Sequence, residues 1–242
     1  MKPFAGQVAV VTGSGSGVGR AVALALAAEG ATLCLVGRTL EKLQAVATLA
    51  RNTTQRVECY QADLTRDIDV QELTTFLRGE FESLDLLVHS AGAIHIGQLA
   101  NAPVDELDLQ YRTNVRGPFV LTQQLLPMLI ARRGQVVFIN SSAGLMARAN
   151  VGQYAASKHA LKAITDSLRE EVNPCGVRVL SMFLGRTATP MQATVHQMEG
   201  REYHPERLVQ PDDVASVVIS VLRLPRTAEV TEISMRPALK SY

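Results

Sequence analysis

The sequence predicts an α/β fold: a doubly wound parallel sheet of about seven strands with helices on both faces, in one domain spanning residues 1–242. Short β-branched runs alternate with longer stretches of helical composition along the whole chain. The strand-like runs are apolar at nearly every position rather than at every second one, the mark of strands covered on both faces in a parallel sheet. No linker rich in Pro, Gly or Ser divides the chain, and no repeat at a period of about 20–50 residues is visible, which sets the domain count at one.

Taken in order, Gln7 to Val11 reads as a first buried strand. Gly17 to Glu29 follows as a helix rich in Ala and Leu, and Gly30 stands where a C-terminal cap would end it. Thr32 to Val36 is a second strand, and Thr39 to Ala50 a helix with Thr39 at its N-cap. Arg56 to Tyr60 is a third strand; a helix from Thr65 towards Phe81 then leads to a fourth, Leu84 to His89. One long helix is expected from Pro103 or Asp105 to Arg132, interrupted around Gly117-Pro118. Gln135 to Ile139 is a strand, and Gly152 to Val172 a helix that Asn173-Pro174 ends. Val177 to Phe183 is a strand, Pro211-Asp212-Asp213 opens a helix, and Glu229 to Met235 closes the sheet. In such sheets ligands bind outside the carboxyl ends of the strands, at the point where strand order reverses.

Composition narrows the function classes. With 47% hydrophobic and 19% charged residues the chain has a globular profile. A net charge of +1 gives no electrostatic ground for a nucleic-acid or anionic-membrane partner. The longest apolar runs, such as Ala21 to Ala28, fall short of the ~18 residues of a membrane span. The chain starts Met-Lys-Pro-Phe and enters a strand without the pattern of a secretory signal, so a cytoplasmic location is expected. Cys34, Cys59 and Cys175 are expected to be buried small hydrophobes in a reducing compartment. None of the five histidines is paired at metal-ligand spacing, so no metal is expected.

The chemistry starts at the turn after the first strand, Thr12-Gly13-Ser14-Gly15-Ser16-Gly17-Val18-Gly19-Arg20. A glycine-rich turn between a strand and a helix lets the backbone approach a diphosphate, which meets the unpaired N–H groups of the helix N-terminus. The spacing is T-G-x-x-x-G-x-G, not the common G-x-G-x-x-G. Where a dinucleotide fold places an acid to hold the adenosine ribose, this chain has Gly37 followed by Arg38. An acid would repel a 2′-phosphate and an arginine can fork onto it, which favours NADP(H) over NAD(H).

Further along, Tyr154-Ala155-Ala156-Ser157-Lys158 puts Tyr154 and Lys158 at i and i+4 on one helix face. A phenol with a pKa near 10 is a poor base at neutral pH, and an adjacent ammonium with an oxidised nicotinamide would lower that value. Lys158 would also reach the nicotinamide ribose. Ser141 follows the strand Gln135 to Ile139 and sets a hydroxyl at the carboxyl edge of the sheet, in reach of a substrate oxygen. Ser142 is its rival.

In this order and placement the motifs resemble the short-chain dehydrogenase/reductase family over nearly the whole chain, from Val8 to about Met235. The resemblance implies a Rossmann fold and an Asn-Ser-Tyr-Lys active site made here of Asn114, Ser141, Tyr154 and Lys158. Gly144, three residues after Ser141, favours that serine over Ser142. The cofactor-binding residues so implied are Thr12, Gly13, Ser14, Ser16, Gly17, Val18, Gly19, Arg38, Asp63, Leu64, Ala91, Gly92, Tyr154, Lys158, Gly185, Thr187 and Thr189. Asp63 would hold the adenine ring, and Thr189 the carboxamide. Residues 190–210 would form a lid over the substrate, and the long helices a homodimer or homotetramer interface. The function implied is an NADP(H)-dependent oxidoreductase acting on a small-molecule carbonyl or alcohol, with Tyr154 as general acid/base. The alternatives are an NAD-dependent alcohol dehydrogenase of the same family and a non-catalytic dinucleotide-binding regulator. The chain departs from the family at His89-Ser90-Ala91-Gly92, where Asn-Asn-Ala-Gly is usual, and at Leu184-Gly185, where Pro-Gly is usual. The first departure bears on the central sheet more than on the chemistry.

Overall fold

The structure, a computed structural model, describes residues 2–239. The first half alternates β1 (Val8–Thr12), α1 (Gly17–Ala28), β2 (Thr32–Gly37), α2 (Leu40–Ala50), β3 (Val57–Gln61), α3 (Asp67–Glu80) and β4 (Leu86–His89). The second half runs α4 (Val104–Tyr111), α5 (Gly117–Arg132), β5 (Gln135–Ser141), α6 (Gly152–Val172), β6 (Arg178–Leu184), α7 (Pro190–Met198), α8 (Pro211–Leu222) and β7 (Glu232–Met235).

All seven strands join one parallel sheet in the order β3-β2-β1-β4-β5-β6-β7. The order reverses between β1 and β4, so the carboxyl ends of these two strands open a crevice for ligand. The uniformly apolar strand runs have a simple cause. Successive side chains point to opposite faces, and both faces are covered. Ala9 and Val11 of β1 pack with α1, α2 and α8 through Leu26, Leu43 and Val218. Val10, between them, packs on the other face with α3, α5 and α6 through Leu73, Leu125 and Leu161.

Expectation and structure part at a few places. Gly30 ends α1 as expected, with φ of +91°, but Thr39 caps α2 by position only, with no side-chain hydrogen bond to the helix. The long helix expected through Arg132 is two helices joined by a π-turn at Arg112–Arg116, where the Gly117 N–H reaches back to the Arg112 carbonyl. The break thus falls just ahead of Gly117-Pro118. Pro118 sits in the first turn of α5 and has no N–H, so the Asn114 carbonyl lacks the donor that an uninterrupted helix would supply. The last strand is four residues long, starting at Glu232 rather than Glu229. Cys34 is buried, but Cys59 is only half-buried and Cys175 is exposed. Among the described residues no helix is long and apolar enough to cross a membrane.

His89, where the resemblance implies asparagine, closes the central sheet by its own contacts. Its ring stacks on Phe138 of β5 with centroids 4.8 Å apart, and Nε2 lies 2.8 Å from the Thr122 hydroxyl of α5. The other ring nitrogen, Nδ1, is buried with no partner. Burial without an acid nearby pushes the imidazole pKa down to about 3, so His89 is neutral in the fold.

Candidate active site

The crevice at the β1/β4 reversal is a cleft of about 950 Å³ running from Arg38 past the ends of β1, β4 and β5 to Met191 on α7. Its floor is the glycine loop. A Cβ on Gly19 would lie 2.4 Å from the Gly13 carbonyl oxygen, and one on Gly13 would lie 2.6 Å from the Ala91 nitrogen. Side chains at either place would force the loop apart. Gly13, Ser16, Gly17 and Val18 line the cleft. Thr12 and Ser14 are buried behind it: the Thr12 hydroxyl accepts from the Ser90 and Ala91 N–H groups at 3.1 and 3.2 Å, and Ser14 Oγ donates to the Val36 carbonyl at 3.3 Å. Their side chains tie β1 to its two neighbours and hold the loop in shape.

Gly17 opens α1. Ser16 at the N-cap makes no side-chain cap, and the first turn carries no acid. The first-turn N–H groups and the positive end of the helix dipole are therefore left to an anion in the cleft. Arg38 and Lys42 are exposed on the same wall, and neither forms an ion pair among the described residues. Lys42 lies against the loop, its Cβ 3.1 Å from where a Cβ on Gly15 would be. Asp63 and Leu64 line the cleft beyond β3. The Asp63 carboxylate accepts from the Thr65 N–H and hydroxyl at 2.9 and 2.8 Å, which fixes its direction. A diphosphate cradle, two unpaired cations four residues apart and a cleft of this length suit a phosphorylated dinucleotide.

At the other end, β5 and α6 bring the reactive side chains together. Tyr154 is in the first turn of α6, and Ser141 ends β5 with its hydroxyl beside the phenol. Lys158, one turn on, is buried, with Nζ 5.8 Å from the Tyr154 ring centroid and donating to the Ile139 carbonyl at 3.2 Å. Burial lowers the ammonium pKa to about 8. Burial also raises the Tyr154 phenol above its ordinary value, and the neighbouring Ser141 hydroxyl opposes this in part. Within the protein itself the pair is thus a neutral phenol beside a cation at neutral pH; the expected lowering of the phenol is not supplied by Lys158 alone. Ser142 is exposed, whereas Ser141 is half-buried and accepts from the Ala143 N–H at 3.1 Å. The turn after Ser141 packs so closely on α6 that a Cβ on Gly144 would fall 2.8 Å from the Lys158 carbonyl oxygen.

Asn114 does not line the cleft; it is buried behind it. Its side-chain amide grips Ala93 on both sides, accepting from the N–H and donating to the carbonyl at 2.8 Å each, and donates to Ser157 Oγ at 3.0 Å. Ser157 in turn donates to the Tyr154 carbonyl at 2.7 Å. Gln110, fully buried, repeats the device two residues along: it accepts from the His95 N–H at 2.9 Å and donates to Gln153 at 3.2 Å. Together these bonds hold residues 93–95 against the first turns of α6. His95 itself is half-buried, 3.6 Å from Glu106, and outside the cleft lining.

Ala91, Gly92, Gly185, Thr187 and Thr189 complete the cleft wall. The Thr189 hydroxyl caps α7 by accepting from the Gln192 N–H at 3.2 Å, and Thr187 donates to the Gly185 carbonyl at 3.1 Å. The segment expected as a lid comprises α7 and a short turn at Pro205–Arg207. Its two ends are joined by a bridge between Thr187 and Val209, and the end of α7 is tied back to the start of the segment by Arg186 paired with Glu199 at 2.7 Å. The sequence reading missed Lys42, Asn140, Ser157 and Gln110. Asn140 accepts from the Ser141 N–H at 2.7 Å and donates to the Lys158 carbonyl at 3.2 Å, so it joins β5 to α6 between two reactive residues. Of the four, only Lys42 had a legible signal, a second cation four residues after Arg38.

Comparison with known proteins places the chain in a family. The family model for short chain dehydrogenase matches residues 7–200. An oxidoreductase of Staphylococcus aureus strain MRSA252 is 34% identical over 233 residues, 96% of this chain and 97% of that protein. A metagenomic short-chain oxidoreductase solved in complex with NADP is 29% identical, with a TM-score of 0.85, covering 98% of this chain and 100% of that one. A short chain dehydrogenase of Shigella flexneri complexed with NADP is also 29% identical, with a TM-score of 0.88 and coverage of 96% and 98%.

Proposed function

The chain is an oxidoreductase belonging to the short-chain dehydrogenase family, and on that footing we propose that it transfers a hydride between NADP(H) and the carbon of a carbonyl or alcohol substrate. The observation that carries this reading is the meeting of Ser141, Tyr154 and Lys158 at the carboxyl end of β5, in one cleft with the glycine loop. The bound nicotinamide supplies the hydride in reduction and accepts it in oxidation. Gly13, Ser16, Gly17 and Val18 would hold its diphosphate against the N-terminus of α1, and Arg38 with Lys42 the 2′-phosphate. NADP-bound relatives of the same fold support that choice of nucleotide.

Ser141 and Tyr154 bind the substrate oxygen. In the reducing direction Tyr154 donates its phenol proton to that oxygen, for which a neutral phenol is the right starting state. The Lys158 ammonium then stabilises the phenolate left behind and holds the nicotinamide ribose. The Asn114 carbonyl, free of its helical donor, anchors a water that returns a proton to Tyr154 by way of Lys158. In the oxidising direction Tyr154 is the general base. Residues 190–210 would close over the substrate, and the apolar faces of α5 and α6 would join subunits into a dimer or tetramer.

The test is titration with NADPH and NADH followed by nucleotide fluorescence, with Arg38→Asp alongside. Tighter NADPH binding that the variant loses is the expected result. Equal or preferential binding of NADH removes Arg38 from its role and points to NAD-linked alcohol oxidation; binding of neither undoes the proposal. Tyr154→Phe at full turnover would sink the proton-transfer scheme.

A further inference from the structure

Resting on that reading of the site, we infer that the carbonyl substrate has an apolar body: an aliphatic, alicyclic or aromatic ketone or aldehyde rather than a sugar or other polyhydroxylated compound. The end of the cleft beyond Tyr154 is walled by Ile94, Ile96, Leu145, Met146, Val151 and Met191. These six come from three directions around the reactive hydroxyls. Ile94 and Ile96 follow Ala93, which Asn114 clamps; Leu145, Met146 and Val151 lie between Ser141 and Tyr154 in the chain; Met191 is on α7 and faces Gly92, its Cε 3.8 Å from where a Cβ there would be.

Three of the six stand open to solvent: Leu145 is 45%, Met146 66% and Met191 39% exposed. Large apolar side chains converging on the mouth of a reactive cleft lose that contact with water when an apolar molecule covers them. Two of them are methionines, whose unbranched thioethers adapt to differently shaped apolar partners.

The polar side chains recessed in this wall bond mainly to one another. Arg186 is paired with Glu199 at 2.7 Å; the other carboxylate oxygen of Glu199 is buried without a hydrogen-bond partner, its nearest cation being Arg201 at 3.8 Å. The Gln192 amide lies 3.2 Å from His196 Nδ1, and the His196 ring packs edge-on against Tyr203 at 5.3 Å. Ser142 and Arg148 also line the cleft but are exposed, so in the free protein water meets their hydrogen-bonding needs. Ser141 and Tyr154 take the one reacting oxygen. A substrate with several more hydroxyls would bury those that lie on the six apolar side chains without a partner, at a loss of about tenfold in affinity for each.

The experiment follows NADPH oxidation by the purified protein with straight-chain 2-ketones from 2-butanone to 2-decanone, and compares 2-hexanone with fructose, which has the same number of carbons. The expected result is a kcat/KM that rises about fourfold per methylene over the middle of the series. Fructose should fall at least about a hundredfold below 2-hexanone. Met146→Gln, at an exposed position that does not support the core, should flatten the rise per methylene. A flat series, or fructose turned over as well as 2-hexanone, overturns the apolar class and leaves hydride transfer standing. Should no compound be turned over, the melting temperature of the NADPH-saturated protein decides. A rise on adding 2-decanone upholds the apolar site, and no change overturns it. The underlying oxidoreductase reading fails separately, by absence of NADPH binding in the fluorescence titration.

Discussion

Lys158 is the residue on which stability and function pull hardest against each other. Its ammonium is buried among β5 and α6, with the Ile139 carbonyl as its hydrogen-bond acceptor, and its pKa is lowered to about 8 from an ordinary 10.5. Below pH 8 the lysine is charged in both folded and unfolded chains, and the folded state carries the full desolvation penalty. As pH rises from 8 to 10.5 the folded protein releases this proton before the unfolded chain does, and the penalty fades. A shift of this size corresponds to about 3 kcal/mol at pH 7. Lys158→Met keeps the aliphatic stem and removes the charge, while giving up one hydrogen bond to Ile139 worth about 1 kcal/mol. The net expectation is a protein more stable by about 2 kcal/mol at pH 7, or a melting temperature higher by about 4–8 °C, that has lost turnover. Urea and thermal denaturation followed by circular dichroism at pH 7 and pH 10, with NADPH oxidation alongside, measure both sides. The gain should be present at pH 7 and largely gone at pH 10. A variant clearly less stable than the wild type at pH 7 would refute the reasoning, since Lys158 would then be holding the fold together rather than straining it.

Two further expectations concern the frame around the site. His89 is neutral in the fold, with a pKa of about 3, so below pH 6.5 the unfolded chain takes up a proton that the folded protein refuses; the stability present above pH 6.5 is lost as pH falls towards 3, by about 3 kcal/mol at pH 4.5. His89→Asn should remove this acid-sensitive component from urea denaturation, and equal pH slopes for the two proteins would count against it. Gly19→Ala puts a Cβ 2.4 Å from the Gly13 carbonyl oxygen, with backbone on both sides, and should cost about 1–3 kcal/mol and weaken NADPH binding. A variant with wild-type melting temperature and affinity would show that the loop yields more readily than its geometry implies.

What the sequence makes legible follows from where each residue finds its partners. The strands announce themselves because both faces are covered, so Val8 to Val11 and Leu33 to Val36 are apolar at every position. The glycine loop and the Tyr154–Lys158 pair are readable because their meaning lies in local spacing, a tight turn in one and a helical i,i+4 face in the other. The π-turn at Arg112–Arg116 is not readable in this way. Its residues have ordinary helical character; the register change comes from Pro118 on one side and from the grip of Asn114 on Ala93, 21 residues away, on the other. Gln110, Asn140 and Ser157 are hidden for the same reason, since each is one polar residue in a helix or strand until the fold supplies a distant partner: the His95 N–H, the Lys158 carbonyl and the Asn114 side chain in turn.

The same distinction separates the members of the four-residue set by the kind of atom each contributes. Ser141, Tyr154 and Lys158 offer side-chain atoms to the cleft and are recognisable from side-chain type and spacing. The Asn114 amide is consumed: its oxygen is occupied by the Ala93 N–H, and its nitrogen by Ala93 and Ser157. What Asn114 would have left for the proposed chemistry is its main-chain carbonyl, which any residue possesses and which Pro118 leaves without its helical donor. An asparagine is needed there because a short side chain with one acceptor and two donors can lock the loop at Ala93 and the first turn of α6 at Ser157 together. That lock keeps residues 93–95 and Tyr154 in fixed relation, so the side chain would act through position and the backbone through water.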